Sequence, residues 1–394
     1  MISLQRYAAL FAQPDLRAAI LASLIGRLPI GITGLALLLL VQAREDSFVD
    51  SGLVTAAYLA GLAAVSPLVG RFIDRLGPRP VLLVAGLAYP LALVTLVSAV
   101  NGGAPLGQVV GLSFLAGASL PQITTSMRTL YRRRLEDDAL LIAALSFDSV
   151  LIEIVFIVGP MLVALVVAVV SADLAVMLGA LCAAIGVVLV TRTPAMTAWP
   201  IERSRFKGLL GVLHDAAFRK LLLILVCYAA VFGLVDIAVA TYAFDVQQPA
   251  LAGVVLGVMS IGSAAGGLAY GSRSWHLPLT HQFALALVIM GASIVPMAFI
   301  TNPLLLAIAA IVSGLTMAPP LIIQSTIVAK TTPSLQMAEA FTWVTTAMLC
   351  GVGLGFAFGG MVAEARGAAG AFLLGAAITI AVGAAAKPLL QAAR

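Results

Sequence analysis

The chain has 394 residues, of which 62% are hydrophobic and only 10% are charged, and its mean hydropathy is +1.11. Soluble proteins are about 45–50% apolar and about 25% charged, so a water-soluble fold is excluded. The net charge of +5 is distributed along polar segments between apolar runs rather than gathered in one patch, and no nucleic-acid partner is expected.

Twelve apolar runs are each long enough to cross a bilayer, which takes about 20 residues of helix. The first six predicted spans are residues 17–42, 51–69, 80–100, 106–128, 139–170 and 174–192. The second six are residues 219–244, 250–271, 282–300, 304–328, 340–363 and 370–387. The pattern predicts an all-α polytopic membrane protein with a six-helix bundle over 1–192, a linker over 193–218 and a second six-helix bundle over 219–394.

Lys and Arg predict the orientation, because positive residues are retained on the cytoplasmic side. Of the 22 basic residues, only Arg44 and Arg366 fall in predicted outer loops, and Arg27 lies within the first span. The others fall in segments that are cytoplasmic if the N-terminus is inside. Both termini and the linker are therefore expected in the cytoplasm, as in two parallel six-helix repeats. The first apolar run is too long for a signal peptide, and the bacterial inner membrane is the expected location.

Weak echoes of sequence support the repeat. Gly52, Gly61 and Gly70 recur about 201 residues later as Gly253, Gly262 and Gly271. Near the end of each half the offset falls to 196, with Ser146 and Gly159 matching Thr342 and Gly355.

The segment GRFIDRLGPRP, residues 70–80, stands between the second and third spans. It resembles the signature loop of the major facilitator superfamily, Gly-x3-Asp-(Arg/Lys)-x-Gly-x-(Arg/Lys)-(Arg/Lys), with Pro80 replacing the last basic residue. The resemblance implies the fold of that superfamily and transport by alternating access. It also implies a conformational latch formed by Gly70, Asp74, Arg75, Gly77 and Arg79, with Asp74 pairing with Arg75 or with Arg128. The alternative is a charged turn that only fixes topology.

Two glycine patterns predict close helix packing or gating. Only Gly159 and Pro160 remain of the superfamily's antiporter pattern in the fifth span. The eleventh span carries a related spacing in Gly351, Gly355, Gly359 and Gly360.

Ionisable residues inside spans mark pathways or partners, because burying them in a bilayer is costly. Arg27 lies about 15 Å and Glu153 about 20 Å along their predicted helices, so both are near mid-depth. The hypothesis is that they form a buried pair whose carboxylate exchanges a proton during transport, and the alternative is a permanent structural ion pair. Asp148 and Asp236 are further candidates for substrate or proton contact. The remaining candidate cavity residues are Tyr58, Gln122, Tyr228, Gln324 and Trp343.

A secondary transporter that exports small lipophilic compounds in exchange for protons is the leading functional prediction. Uptake or facilitated movement of a metabolite such as a sugar or carboxylate is the alternative, and a non-transporting membrane sensor is a more distant one. No Walker loop, nucleophile–His–acid set or metal cluster appears in the sequence, so neither an enzyme nor a bound cofactor is expected. The expected partners are a small-molecule substrate and the lipid bilayer, with a monomer as the functional unit and the proton gradient as the energy source.

Overall fold

The computed structural model describes residues 9–135, 137–197, 212–271, 275–332 and 337–391, and every regular element in these ranges is a helix. The first group is α1 (Pro14–Glu45), α2 (Phe48–Leu76), α3 (Pro78–Asn101), α4a (Leu106–Ser119), α4b (Ile123–Arg134), α5 (Asp138–Val169) and α6 (Ala172–Thr191). The second group is α7 (Ala216–Asp245), α8 (Leu251–Gly271), α9 (Leu279–Ile294), α10a (Pro303–Gly314), α10b (Ala318–Thr331) and a helical segment Met337–Gln391. We call α1–α6 the N-terminal half and the elements from α7 onward the C-terminal half.

Eleven helices among the described residues are long and apolar enough to span a membrane, and this confirms the predicted all-α membrane fold. The last of them runs over Glu339–Ala386 and has 48 residues. A straight helix of that length would be about 72 Å long, more than twice the thickness of a hydrocarbon core.

This long segment folds back on itself at Gly367, which has a φ of 65° and a ψ of −170°. Gly359 and Gly375 stand eight residues to either side of Gly367, and both lie against Leu234 of α7. Two positions equidistant from the turn contact the same residue, as in a helical hairpin. The segment therefore supplies two crossings, α11 (337–366) and α12 (368–391).

Two spans are interrupted at matching places. The fourth breaks between α4a and α4b over residues 120–122, and the tenth breaks between α10a and α10b over residues 315–317. Pro121 explains the first break, because proline has no N–H to donate and disfavours helix at the residue before it. At the second break the hydroxyl of Ser293 lies 3.2 Å from that of Ser313 and 3.0 Å from that of Thr316.

The two halves meet through a repeated pair of helix contacts, α2 with α11 and α8 with α5. A Cβ atom on Gly52 would lie 2.3 Å from the carbonyl oxygen of Phe356, and one on Gly253 would lie 2.2 Å from that of Pro160. Backbones approach this closely only where no side chain intervenes. The glycines that repeat in the sequence therefore occupy equivalent contacts between halves.

The same repeat holds inside each half. A Cβ atom on Gly61 would lie 2.0 Å from the carbonyl oxygen of Phe114, and one on Gly262 would lie 2.2 Å from that of Ile311. These contacts pack α2 on α4a and α8 on α10a. The predicted linker over 193–218 lies partly outside the described residues, and its boundaries, like the sidedness of the membrane, stay predictions.

Candidate functional site

A buried ion cluster joins three helices of the N-terminal half. Arg27 of α1 donates from Nη2 to Oδ1 of Asp148 in α5. Arg128 of α4b donates from Nε to Oδ2 of the same carboxylate at 2.7 Å. Arg27 and Asp148 are fully buried, whereas 48% of the Arg128 side chain is exposed. One carboxylate thus holds α1, α4b and α5 together.

The predicted pair of Arg27 with Glu153 is wrong, and helical phase gives the reason. Gly31, one turn beyond Arg27 on α1, lies against Val155 and Gly159 of α5. Asp148 precedes Val155 by seven residues, close to two full turns, so it points the same way. Glu153 precedes Val155 by two residues and therefore points about 200° away from α1.

Several polar atoms of this cluster have no partner in the described part of the chain. They are Nε and Nη1 of Arg27 and the hydroxyl of Tyr131, and all three are buried. Tyr131 belongs to α4b, and its hydroxyl lies close to the Arg27 guanidinium without forming a hydrogen bond of normal geometry. Burying a donor without a partner costs about 1–3 kcal/mol, and more for a charged group. Asp148 is therefore essential to keeping the Arg27 guanidinium inside the fold.

Glu153 lies where α5 faces the C-terminal half. It shares a helix face with Ile157, which is one turn further along α5. At Ile157 the helix α5 contacts α8, because a Cβ atom on Gly257 of α8 would lie 3.4 Å from the Ile157 carbonyl oxygen and 2.7 Å from Cγ of Met161. Glu153 is one turn away from these contacts and is partly buried. Among the described residues no cation or hydrogen-bond donor contacts its carboxylate. It is an unpaired acid beside the seam between halves.

Asp236 is a second unpaired acid, on α7. It is partly buried, and within the described residues it has no hydrogen bond or ion pair. Gly233, one turn away, packs against the backbone of Val352 in α11. Asp236 thus lies close to the α7–α11 seam in the C-terminal half.

Tyr58, a predicted cavity residue, belongs to a buried chain of hydroxyl groups. Its hydroxyl lies 3.1 Å from that of Tyr89, which lies 2.7 Å from the hydroxyl of Thr33. Tyr58 is 3% exposed and the other two are fully buried. This chain links α1, α2 and α3 inside the N-terminal half. Sequence reasoning did not single out Tyr89 or Tyr131, since an isolated tyrosine in an apolar run carries no signal of its partners.

The other predicted cavity residues are dispersed. Gln122 lies at the break between α4a and α4b and donates weakly to the Ser66 hydroxyl at 3.4 Å. Tyr228 and Gln324 are buried in the C-terminal half, where the Tyr228 hydroxyl and Oε1 of Gln324 have no partner among the described residues. Trp343 is partly buried and packs against the apolar cluster that contains Tyr228.

The signature loop is a one-residue joint between α2 and α3. Gly77 has a φ of 79° and a ψ of 163°, its N–H donates to the carbonyl of Ile73 at 2.9 Å, and Pro78 begins α3. Only glycine adopts this backbone readily, so Gly77 allows α2 and α3 to be joined by a tight turn. The side chain of Asp74 lies outside the described residues, and the latch remains a prediction. Other predicted members of the loop are on the helix ends beside it: Gly70, Arg75 and Arg79.

The glycines of the fifth and eleventh spans lie in close helix contacts. A Cβ atom on Gly159 would lie 2.6 Å from the backbone of Gly31, and Pro160 contacts Gly253 across the halves. On α11, three glycines spaced four residues apart pack against α7, and a fourth packs against α2. The three are Gly351, Gly355 and Gly359, and the fourth is Gly360.

A surface cavity of about 550 Å³ lies beside the start of α1 and the end of α4b. An ion pair from Arg134 to Asp15, with Nε 3.0 Å from Oδ2, forms one wall. All of its lining residues belong to the N-terminal half, so we do not assign it to a path between halves. No group of His, Cys, Asp or Glu in the described ranges is arranged to hold a metal ion.

Helical spans in two repeated halves, with ionisable side chains buried in them, define a polytopic membrane protein of the transporter class. The profile of the Major Facilitator Superfamily matches residues 19–275, and the chain belongs to this superfamily. A curated relative is an uncharacterized MFS-type transporter, y4rN, of Sinorhizobium fredii (strain NBRC 101917 / NGR234). It is 27% identical over 270 residues, which cover 66% of this chain and 66% of the relative, just under two thirds of its length.

Solved structures show the same fold. A mutant of the nucleoside transporter NupG superposes with a TM-score of 0.78 over 94% of this chain and 99% of its own, at 13% identity. A POT family transporter in complex with 5-aminolevulinic acid gives a TM-score of 0.74 over 95% of this chain and 96% of its own, at 9% identity. Identities this low show the fold alone.

Proposed function

We propose that this protein is a secondary active transporter that exports small lipophilic compounds across the bacterial inner membrane in exchange for protons. It works as a monomer by alternating access, with the two halves rocking about a central site. The observation that carries the proposal is the unpaired carboxylate of Glu153 beside the α5–α8 seam.

The carboxylate of Glu153 can serve in transport in two ways. A carboxyl group with no cation beside it is free to carry a proton or to bind a cationic solute, because no built-in charge competes for it. Arg27, the arginine within a span, is already paired with Asp148. Among the described residues the two unpaired charges identified above are both acidic, Glu153 beside the seam between halves and Asp236 beside the α7–α11 contact, which favours protons and cationic amphiphiles over anionic substrates.

Rocking of the two halves would also change which side of the membrane can reach the residues at the seam between halves. The closest approaches between halves, at Gly52, Gly253 and Gly360, lie at one end of the bundle, where α1 ends and α2 begins. We call this the contact end, and the predicted topology puts it outside. At the far ends of α2 and α8, a Cβ atom on Gly70 or Gly271 would meet no atom within 4 Å. Glu153 lies on the side of the α5–α8 contacts away from the contact end, as a residue reached from an inward-facing cleft would.

Uptake or facilitated passage of a polar metabolite is the second candidate. It is favoured by the Tyr228 hydroxyl and the Gln324 Oε1, both buried without a partner in the described part of the chain. Unpaired polar groups of this kind are suited to hydrogen-bond a solute such as a nucleoside or sugar. NupG, a nucleoside transporter, has the same fold.

The test uses purified protein in liposomes that contain a pH-sensitive dye. A pH gradient is imposed, and a panel of lipophilic cations, nucleosides, sugars and carboxylates is screened for movement of solute and proton together. Exchange of a lipophilic cation for protons is the expected result. Movement of a polar metabolite without export of lipophilic cations would replace the leading proposal with the second candidate.

The variant Glu153→Gln keeps the size of the side chain and removes its charge. Proton-driven transport should fall at least tenfold, while solute exchange in the absence of a gradient should persist. Glu45→Gln, in an exposed position at the end of α1, is the matched control and should transport normally. Full coupling in Glu153→Gln would refute its role.

A further inference from the structure

One carboxylate reaches across the contact end from the C-terminal half to the N-terminal half. Glu364, near the end of α11, accepts at Oε1 from the Ser47 hydroxyl at 2.7 Å and from the backbone N–H of Val49 at 2.9 Å. Ser47 is the N-cap of α2, and its Oγ accepts from the N–H of Asp50 at 3.1 Å. The free N–H groups in the first turn of α2 are thus shared between its own cap and a carboxylate of the other half.

This arrangement suits a negative charge. The N-terminus of a helix carries a partial positive charge, and charge-assisted hydrogen bonds to a carboxylate are stronger than neutral ones. Glu364 would lose both donors if α2 and α11 separated, because Ser47 and Val49 belong to the opposite half. The contact is therefore specific to the arrangement in which this end is closed.

The surrounding surfaces fit the same closed arrangement. A Cβ atom on Gly360, one turn before Glu364, would lie 2.1 Å from the carbonyl oxygen of Phe48. The Phe48 ring meets the ring of Phe244, at the end of α7, edge to face with centroids 5.9 Å apart. Apolar packing and the polar contact occur together within about one helical turn.

The equivalent seam between α5 and α8 lacks this carboxylate. Pro160 matches Phe356 in its contact across the halves, an offset of 196 residues, and at that offset Glu364 corresponds to Ala168. Alanine has no acceptor to offer a helix N-terminus. Within the described residues, the contact of a carboxylate with the start of a helix in the other half is therefore found at the α2–α11 seam and has no counterpart from position 168 at the α5–α8 seam.

We propose that Glu364 is a gate residue, which holds the contact end shut by capping α2 from the opposite half. The gate stands opposite the signature loop, at the other end of α2. The proposal does not depend on the identity of the solute or on proton coupling, so it is tested without substrate.

The experiment measures the distance between two spin labels in the full-length protein in lipid nanodiscs. Ala43, at the end of α1, and Gln248, after α7, are exposed positions at the contact end in opposite halves. Each is replaced by a labelled cysteine after Cys182, Cys227 and Cys350 have been changed to serine or alanine. In Glu364→Ala the ratio of separated to closed molecules is expected to rise about fivefold, the size expected for loss of a helix cap.

Three further variants make the result specific. Glu364→Gln, which keeps the side chain's size, should give a smaller rise in the same direction, and it replaces Glu364→Ala if that variant does not fold. Ser47→Ala should add little to Glu364→Ala, because the two residues act through one contact. Glu45→Ala removes an exposed acid from the same end and should leave the distances unchanged. Unchanged distances in both Glu364 variants, or an equal shift in Glu45→Ala, would overturn the proposal.

Discussion

Replacing Asp148 with asparagine should destabilise the protein more than any comparable change to an exposed charge. Asp148 is fully buried between Arg27, which is also fully buried, and Arg128, which is about half exposed. Removing one partner of a buried ion pair costs about 3–5 kcal/mol, because the other charge stays in the interior uncompensated. Arg128→Ala removes one hydrogen bond to a charged group, which costs about 1.5–3 kcal/mol of stability when the group is buried. Because Arg128 is about half exposed and solvent screens its charge, the loss should be smaller than that.

A double substitution separates loss of charge balance from loss of packing. Arg27→Met with Asp148→Leu removes both buried charges and keeps apolar volume. Replacing a buried ion pair by apolar residues is often neutral or stabilising, so the double variant should be more stable than Asp148→Asn alone. Arg27→Met should also cost less in the Asp148→Asn background than in the wild type, since the buried cation is then already unpaired.

The assay uses the protein's own cysteines. Cys182 is buried and Cys227 partly buried, so a thiol-reactive dye reports unfolding in a Cys350→Ser background from which the exposed thiol has been removed. At about 2 °C per kcal/mol, the scale for large domains, Asp148→Asn should lower the Tm by about 6–10 °C. A Tm lowered equally by Asp148→Asn and Arg128→Ala, or additive effects of Arg27→Met and Asp148→Asn, would refute the reasoning.

Two further predictions concern packing inside the N-terminal half. Gly117→Ala should lower stability by about 2 kcal/mol or more, because the new Cβ would lie 1.7 Å from the carbonyl oxygen of Tyr58. Gly111→Ala is the control, since its Cβ would meet open space, and it should be neutral or stabilising in the same thiol assay. Tyr89→Phe should cost about 2–3 kcal/mol, since it leaves the buried hydroxyls of Thr33 and Tyr58 without their partner, and an unchanged Tm would show that other groups satisfy them.

Hydropathy was sufficient to predict the helices but not their full lengths. The predicted span 51–69 lies inside α2, which runs over Phe48–Leu76. Helix continues beyond the apolar run because Ser47 caps its start and Gly77 ends it, and neither residue affects an average of hydropathy. The break at residues 120–122 was not predicted, although Pro121 was a signal for it in the sequence.

The candidate site was predicted less well, because depth along a helix was considered without direction around it. Depth alone placed Arg27 and Glu153 both near mid-depth. Arginine side chains lean toward the helix N-terminus, which brings the guanidinium of Arg27 to the level of Asp148. The side of α5 that faces α1 is known only once helices are packed, and the sequence does not contain that information.

Glu364 shows a second limit of the same kind. Its partners, Ser47 and Val49, are more than 300 residues earlier in the chain, and an acid near a loop has no feature that distinguishes a gate from a solvated charge. Only the meeting of α2 with α11 brings them together. By contrast, the repeated glycines Gly52 and Gly253 were recognisable from spacing alone, because the same helix contact is built twice.

The glycine joints at Gly77 and Gly367 are too short to let the helices on either side move independently. Each connects two long helices through a single residue of positive φ, α2 to α3 at one end of the bundle and α11 to α12 at the other. One of the two helix pairs that meet across the halves, α2 with α11, therefore consists of helices that are each one arm of a hairpin. Both arms of the α11–α12 hairpin contact α7, through Gly359 and Gly375, so a displacement of α11 at Glu364 is expected to move α12 and α7 with it. A connection of one residue leaves little freedom between its two helices, so each pair is expected to move as a unit when the halves rock.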